Sequence, residues 1–282
     1  MNDLKEIETI ARSVNAKVIA RTDVGFIMNA FQLLNCIQDE GVFKVTDDGL
    51  SCAVVDSAHI AMMEILLNKD LFRPLTANKD TEFAIDFDAA WDCLKKVYQN
   101  DTKQAIHFLS TDALIIVEEN IMHLWTDRKH MKWSLPDYVG LSQPNLPSLP
   151  DKHFKAIVTA SAGELVEAIN GTTGISEHSI FSFEGERDLK ISAIDDTKEL
   201  TSSISTVGVE RAEQARSIIP SEYLLGPLKC LDKETLVRLR IGNEYPIVCE
   251  WPISKESVVG SFEGRTYTAR LFIAPRIESS EN

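Results

Sequence analysis

The sequence is poor in the features that mark a reactive centre. Its five cysteines, Cys36, Cys52, Cys93, Cys230 and Cys249, are odd in number, widely spaced and free of any C-x-x-C pair. That pattern argues against a disulfide framework and a structural zinc site, and reads as reduced, buried thiols. The six histidines form neither H-x-x-x-H nor HExxH. There is no GxGxxG turn, no Walker loop and no GxSxG elbow. Nothing supplies a nucleophile, a base and an orienting acid, so the chain does not read as an enzyme, and no cofactor or metal is expected. No apolar run approaches the ~18 residues that a membrane helix needs. The first residues mix charges and lack an apolar core, so no signal peptide is expected. Positive charge is scarce: 29 basic against 43 acidic side chains leave a net charge of −14. Such a surface does not coat nucleic acid as a whole, although a local basic patch is compatible with it.

What is present is an ordinary globular composition, 44% apolar and 26% charged over 282 residues, enough for one large core or two smaller ones. Four of the ten prolines, Pro136, Pro144, Pro147 and Pro150, fall within 135–150 and favour extended backbone there. The same stretch carries Leu135, Tyr138, Val139, Leu141, Leu146 and Leu149, which suit a connector docked along a surface. The expected organisation is a first domain over 1–134, a connecting segment over 135–150 and a second domain over 151–282.

The two halves repeat each other. Residues 25–39 have a helical period, with Phe26, Ile27, Ala30, Phe31, Leu33, Leu34 and Ile37 on one stripe. Strand-like runs follow, with Asp48-Gly49 read as a hairpin turn. A second helix is expected over 88–100, then strands again. In the second half a helix starts at Ser161, where Ser161 and Glu164 form a capping-box pattern. Strands follow, then a helix over 221–231, then strands. Asp56 and Asp195 hold equivalent places in the two halves. This predicts an α+β protein of two similar domains, each with two helices packed on a mostly antiparallel sheet. Two segments, 207–219 and 254–264, read as exposed inserts that break the symmetry.

Three strings carry a family resemblance: FKVTDDGLSCAVVDSAHIAMMEI, GNEYPIVCEWPI and LFIAPRIES. With the duplication and the proline-rich connector, they resemble the DNA sliding clamps of archaea and eukaryotes, the proliferating cell nuclear antigen (PCNA) family. The resemblance implies the DNA clamp fold and a ring of three two-domain subunits, helices inside and sheets outside. A homotrimer is the simplest such ring, and a heterotrimer is the other. Closing a ring also removes exposed sheet edges, here expected near 129–133 and 199–205. The implied function is that of a processivity factor. The ring would thread double-stranded DNA, be opened by a clamp loader, and tether DNA polymerase, flap endonuclease and DNA ligase for replication and repair. It implies an intracellular place, nucleoid-associated in an archaeal cytoplasm or nuclear in a eukaryote, with no membrane.

The resemblance also implies sites. A pocket for partner peptides would be framed by His59, Ile60, Met62, Leu135, Tyr138, Pro246, Phe272, Ala274 and Pro275. A DNA channel would use Lys95, Lys96, Lys103, Lys229 and Lys233, with Arg21 near the first helix. Here the chain departs from the family, which carries basic residues on all four helices. No Lys or Arg falls within 24–40, and the third helix offers Glu164 and Glu167 instead. That thin basic lining keeps a second expectation open, a clamp-fold paralogue acting as a checkpoint-type scaffold ring or as one subunit of a mixed ring.

Overall fold

The computed structural model describes residues 4–13, 16–77, 81–98, 112–126, 128–137, 142–253 and 269–276. The expected insert at 254–264 lies outside the described residues. The chain divides into two compact units, one of residues 1–54 and 64–144, the other of 55–63 and 145–282.

The first unit opens with helix α1 (Leu4–Ser13) and strand β1 (Val18–Asp23). Helix α2 (Val24–Asn35) follows directly, because the Asp23 side chain caps it by accepting from Gly25 N at 2.9 Å. Next come β2 (Glu40–Thr46), β3 (Gly49–Val55), β4 (Ala61–Asn68), β5 (Leu75–Ala77) and β6 (Glu82–Asp86). Asp86 then caps helix α3 (Phe87–Tyr98), accepting from Ala89 N at 2.8 Å. Strands β7 (Asp112–Glu118), β8 (Ile121–Trp125) and β9 (His130–Ser134) complete the set.

The second unit repeats that plan with β10 (Ala156–Ser161), α4 (Ala162–Thr173), β11 (His178–Phe183), β12 (Asp188–Ile194), β13 (Glu199–Ser205), β14 (Gly208–Ala212), β15 (Ala215–Pro220), α5 (Ser221–Lys229), β16 (Leu236–Ile241), β17 (Ile247–Trp251) and β18 (Ala269–Ile273). Strand neighbours run β5-β1-β7-β8-β9 in the first unit and β14-β10-β16-β17-β18 in the second. A further set runs β4-β3-β2-β6 and β13-β12-β11-β15. The duplication therefore reaches down to strand order. Among the described residues, each strand pair with a defined register runs antiparallel.

Each core sits between helices and sheet. In the first unit Phe31 of α2, Phe43 of β2, Phe83 of β6 and Phe87 of α3 pack at ring separations of 5.6 to 6.4 Å, Phe43 stacked on Phe83 and the other pairs tilted or edge-on. Burying a side chain of that size contributes roughly 1.5–3 kcal/mol. In the second unit Leu165 and Ile169 of α4 are wholly buried, as are Phe181 and Phe183 of β11. Strand β4 alternates buried Ala61, Met63, Ile65 and Leu67 with half-exposed neighbours, as a sheet with one covered face requires.

Three expectations need correction. Segment 207–219 is not an insert. It forms β14 and most of β15, the counterparts of β5 and β6, with Ala215, Ser217, Ile218 and Ile219 buried. Its polar residues sit on exposed positions of an outer strand, which hid the strand period. The hairpin turn is Asp47-Asp48, since Gly49 already pairs with Thr46. Gly49 is required for another reason: its φ is +144°, and a Cβ there would lie 2.0 Å from the Leu67 carbonyl oxygen. Helix α1 was not anticipated. Leu4, Ile7 and Ala11 share one face and pack on Ile19, Leu114 and Ile116.

Candidate functional site

The proposed peptide pocket gathers in the second unit around the Asp56 turn. Asp56 directly follows β3 and is buried, only 6% exposed. Its carboxylate accepts from Ala58 N at 2.9 Å, Ile60 N at 2.7 Å and Ala61 N at 2.6 Å. The Tyr223 hydroxyl, from α5, donates to it at 2.9 Å. Burial alone would raise this carboxyl, but the Ala61 N–H, the Tyr223 hydroxyl and the other two N–H donors hold it below its ordinary value. Asp195 does the same work in the repeat, accepting from Thr197 N and Lys198 N at 2.6 Å each.

This web fixes the turn that carries His59 and Ile60. His59 is exposed with φ 57°, a left-handed conformation that His tolerates better than most residues. The Ile60 carbonyl accepts from Ala274 N at 2.8 Å, and Arg276 N reaches the Ile218 carbonyl at 2.8 Å. The end of β18 and the Ala274-Pro275 stop are therefore locked against the turn. Met62 packs on an apolar cluster of Phe154, Ile157, Val248 and Phe272, joined by Leu149 and Tyr245. Pro246 directly precedes Ile247, which faces Ile273 across the β17–β18 ladder.

The structure thus brings together His59, Ile60, Met62, Pro246, Phe272, Ala274 and Pro275. Leu135 belongs to the first unit, where it is buried and its N–H bonds the Asn120 carbonyl at 2.8 Å. Tyr138 lies outside the described residues. Phe272 is 9% exposed, so in the proposed pocket it would form floor more than rim.

Several contributors escaped sequence reading. Tyr245 is half-buried, meeting Phe154 edge-on at 5.3 Å and stacking with His153 at 5.1 Å. Arg240 also lies over the Phe154 ring, its guanidinium carbon 4.1 Å from the ring centre. Arg240 and Arg211 both grip Asp151, at 2.5 and 2.8 Å, and pull its carboxyl below the usual range, the Arg211 hydrogen bond most of all. Next to them Arg238 bonds Glu250, which is 4% exposed, and holds Glu210 with two nitrogens at 2.7 Å each. Alternation along β16 was the available signal: Val237, Leu239 and Ile241 point inward, leaving Arg238 and Arg240 on one outer face. In the first unit Gln143 ties the connector to the sheet, donating to the carbonyls of Val42 and Ser51 at 2.9 and 3.0 Å.

The basic candidates separate into groups. Lys229 and Lys233 are exposed and line one open cleft of about 770 Å³ between α4 and the end of α5, with Glu164, Glu167 and Asn170 opposite. Lys233 is seated there by its carbonyl, which accepts from Gly163 N at 2.9 Å. In the first unit Lys95 already has a partner, Asp92 at 3.2 Å, and rests over the Trp91 ring. Lys96 is exposed, and its carbonyl accepts from Lys129 Nζ at 2.9 Å. Arg21 does not join the helix lysines. It lies on β1 and pairs with Asp112 through both Nε and Nη2, so its charge is neutralised within the sheet. Lys103 lies outside the described residues.

No family model matches the chain. It is 24% identical over 269 residues to the DNA polymerase sliding clamp of Methanococcoides burtonii, spanning 92% of this chain and 98% of that one. It is 25% identical over 266 residues to the DNA polymerase sliding clamp of Methanosarcina mazei, with the same coverage. Among solved structures, A. fulgidus PCNA bound to the C-terminal region of FEN-1 superposes with a TM-score of 0.77 at 21% identity, covering 93% of this chain and 99% of that chain. PCNA from Thermococcus kodakaraensis gives 0.76 at 18% identity, covering 92% and 100%. The fold is that of the DNA clamps.

Proposed function

We propose that this chain is a DNA sliding clamp. In this reading it closes into a ring around duplex DNA and tethers DNA polymerase and repair enzymes to it. The supporting observation is the duplication itself. Two halves with the same strand order, matched along nearly their whole length to clamps, are what a ring of similar domains is built from. A closed ring holds DNA by topology, so the chain needs no catalytic group and no reading of base edges.

Three copies of this chain would form the ring by joining β9 of one subunit to β13 of the next, since each is the terminal strand of its sheet. Lys229 and Lys233 are the pore cations best supported by their exposure, with Lys96 beside them in role. Contact with phosphate is expected to be sparse, which suits sliding. Peptide tails of a polymerase, a flap endonuclease, a ligase and a clamp loader would dock on the surface framed by Ile60, Met62, Tyr245 and Pro275. An intracellular place beside replicating DNA follows.

The test is primer extension on circular template with a matched clamp loader and polymerase. Longer products that depend on the protein support the reading. A ring that forms, by light scattering, without any gain in product length removes it.

A further inference from the structure

The β8 and β9 strands hold a histidine pair, one of them on the strand proposed above to join the next subunit. In the β8–β9 register His123 faces Lys132 and Trp125 faces His130, so His123 and His130 are diagonal neighbours on one face. His123 Nδ1 and His130 Nε2 stand 3.2 Å apart in a hydrogen bond whose donor depends on the tautomer, so an ion held by both nitrogens would take the place of that shared proton. The two rings are within 5° of parallel, and Trp125 stacks flat on His130 at 3.5 Å, which holds that ring in place. The far nitrogen of His123, Nε2, faces a Glu118 carboxylate oxygen at 4.0 Å. The His123 side chain is 20% exposed and His130 is exposed, so the pair lies at the protein surface.

We propose that His123 and His130 form a two-imidazole site for a late first-row divalent cation such as Zn²⁺ or Ni²⁺. Two metal–nitrogen bonds of 2.0–2.1 Å at a tetrahedral angle place their nitrogens about 3.3–3.4 Å apart, close to the observed spacing. Imidazole donors select this class of ion over Mg²⁺ or Ca²⁺. A carboxylate hydrogen-bonded to the non-ligating nitrogen is the usual support for a ligating histidine; Glu118 lies near that nitrogen of His123 at 4.0 Å, in ion-pair range but beyond a hydrogen bond. Among the described residues no third His, Cys, Asp or Glu completes the group. Water therefore fills the remaining positions, and Lys132 opposes the added charge, so the site is exchangeable and moderate in affinity. A bound ion would staple β9, the terminal strand, to β8.

The site stands independently of the clamp reading and is tested on the whole chain. Calorimetric titration with Zn²⁺ and with Ni²⁺ is expected to show one ion per chain, with Mg²⁺ giving no heat. His123→Gln and His130→Gln should each weaken binding at least tenfold. Imidazole resonances of the unsubstituted chain provide a second readout that needs no variant. Shifts confined to two histidines, lost when Trp125 substitution releases the His130 ring, support the pair. Equal binding by the double variant, or shifts at other histidines only, overturns it.

Discussion

Tyr223 and Asp56 lie 167 positions apart in the chain and meet through one 2.9 Å hydrogen bond, phenol to carboxylate. It joins the helix that carries Lys229 to the turn that carries His59 and Ile60. Both partners fall in the second unit. Because the acceptor is a buried charge, the bond is worth more than an ordinary one, about 1.5–3 kcal/mol. Tyr223→Phe is expected to lower unfolding stability by that order, measured by urea denaturation. It should also weaken a docked peptide, because the Ile60 turn loses one of its fixed points. An unchanged midpoint and unchanged peptide affinity would show the bond to be dispensable.

The same carboxylate makes stability depend on pH in acid. Its pKa is held below the ordinary 3.8, so the folded state binds the proton less readily than the unfolded chain. The stabilisation is complete well above 3.8 and is lost as pH falls through the depressed folded value. Asp56→Asn removes the titration. The difference in thermal midpoint between the parent and this variant is therefore expected to shrink as pH drops from 5 toward 3. A constant difference across that window would assign the acid sensitivity to other groups.

Pocket floor and pocket rim should separate on mutation. Phe272 is 9% exposed and packed in the Phe154 cluster, so Phe272→Ala is a core truncation costing about 3–5 kcal/mol of stability. Ile60 and Tyr245 are half-buried, and Tyr245 packs on the same cluster. Ile60→Ala with Tyr245→Ala is expected to reduce affinity for a flap-endonuclease C-terminal peptide by about 2 kcal/mol or more, with a smaller stability loss. Fluorescence anisotropy and denaturation on the same samples read both. Unaltered anisotropy curves would remove the rim assignment.

The lysines should not be equivalent. Lys95 is compensated by Asp92 at 3.2 Å, whereas Lys229 and Lys233 stand exposed along an open cleft. Lys229→Glu with Lys233→Glu is expected to reduce polymerase stimulation and flatten its salt dependence, since fewer phosphate contacts release fewer counterions. Lys95→Glu alone should do much less. Equal losses in the two variants would place both groups at the same distance from DNA.

Much of this could be read from the chain. The two helices of each half, the capping role of Ser161 toward Glu164, with Ser161 Oγ and Glu164 Oε2 2.7 Å apart, and the paired roles of Asp56 and Asp195 all rest on local spacing. Local spacing also misled. The strand period of 207–219 was masked because the outer strand β14 has no buried residue and exposes even Val209, 39% exposed, just after Val207 at 57%. Arg21 looked like a free cation beside a helix, but its partner Asp112 enters from a strand far along the sequence.

The sequence by itself determined the repeat, the helix starts and the alternation of strands, because these follow from periodicity and from capping between residues a few positions apart. Only the tertiary structure decided which charges are paired, which apolar residues are buried and which stay half-exposed, and which donors hold Asp56. Those outcomes depend on contacts between residues tens to more than a hundred positions apart, such as Tyr223 with Asp56 or Arg240 with Asp151. No spacing rule along the chain encodes them.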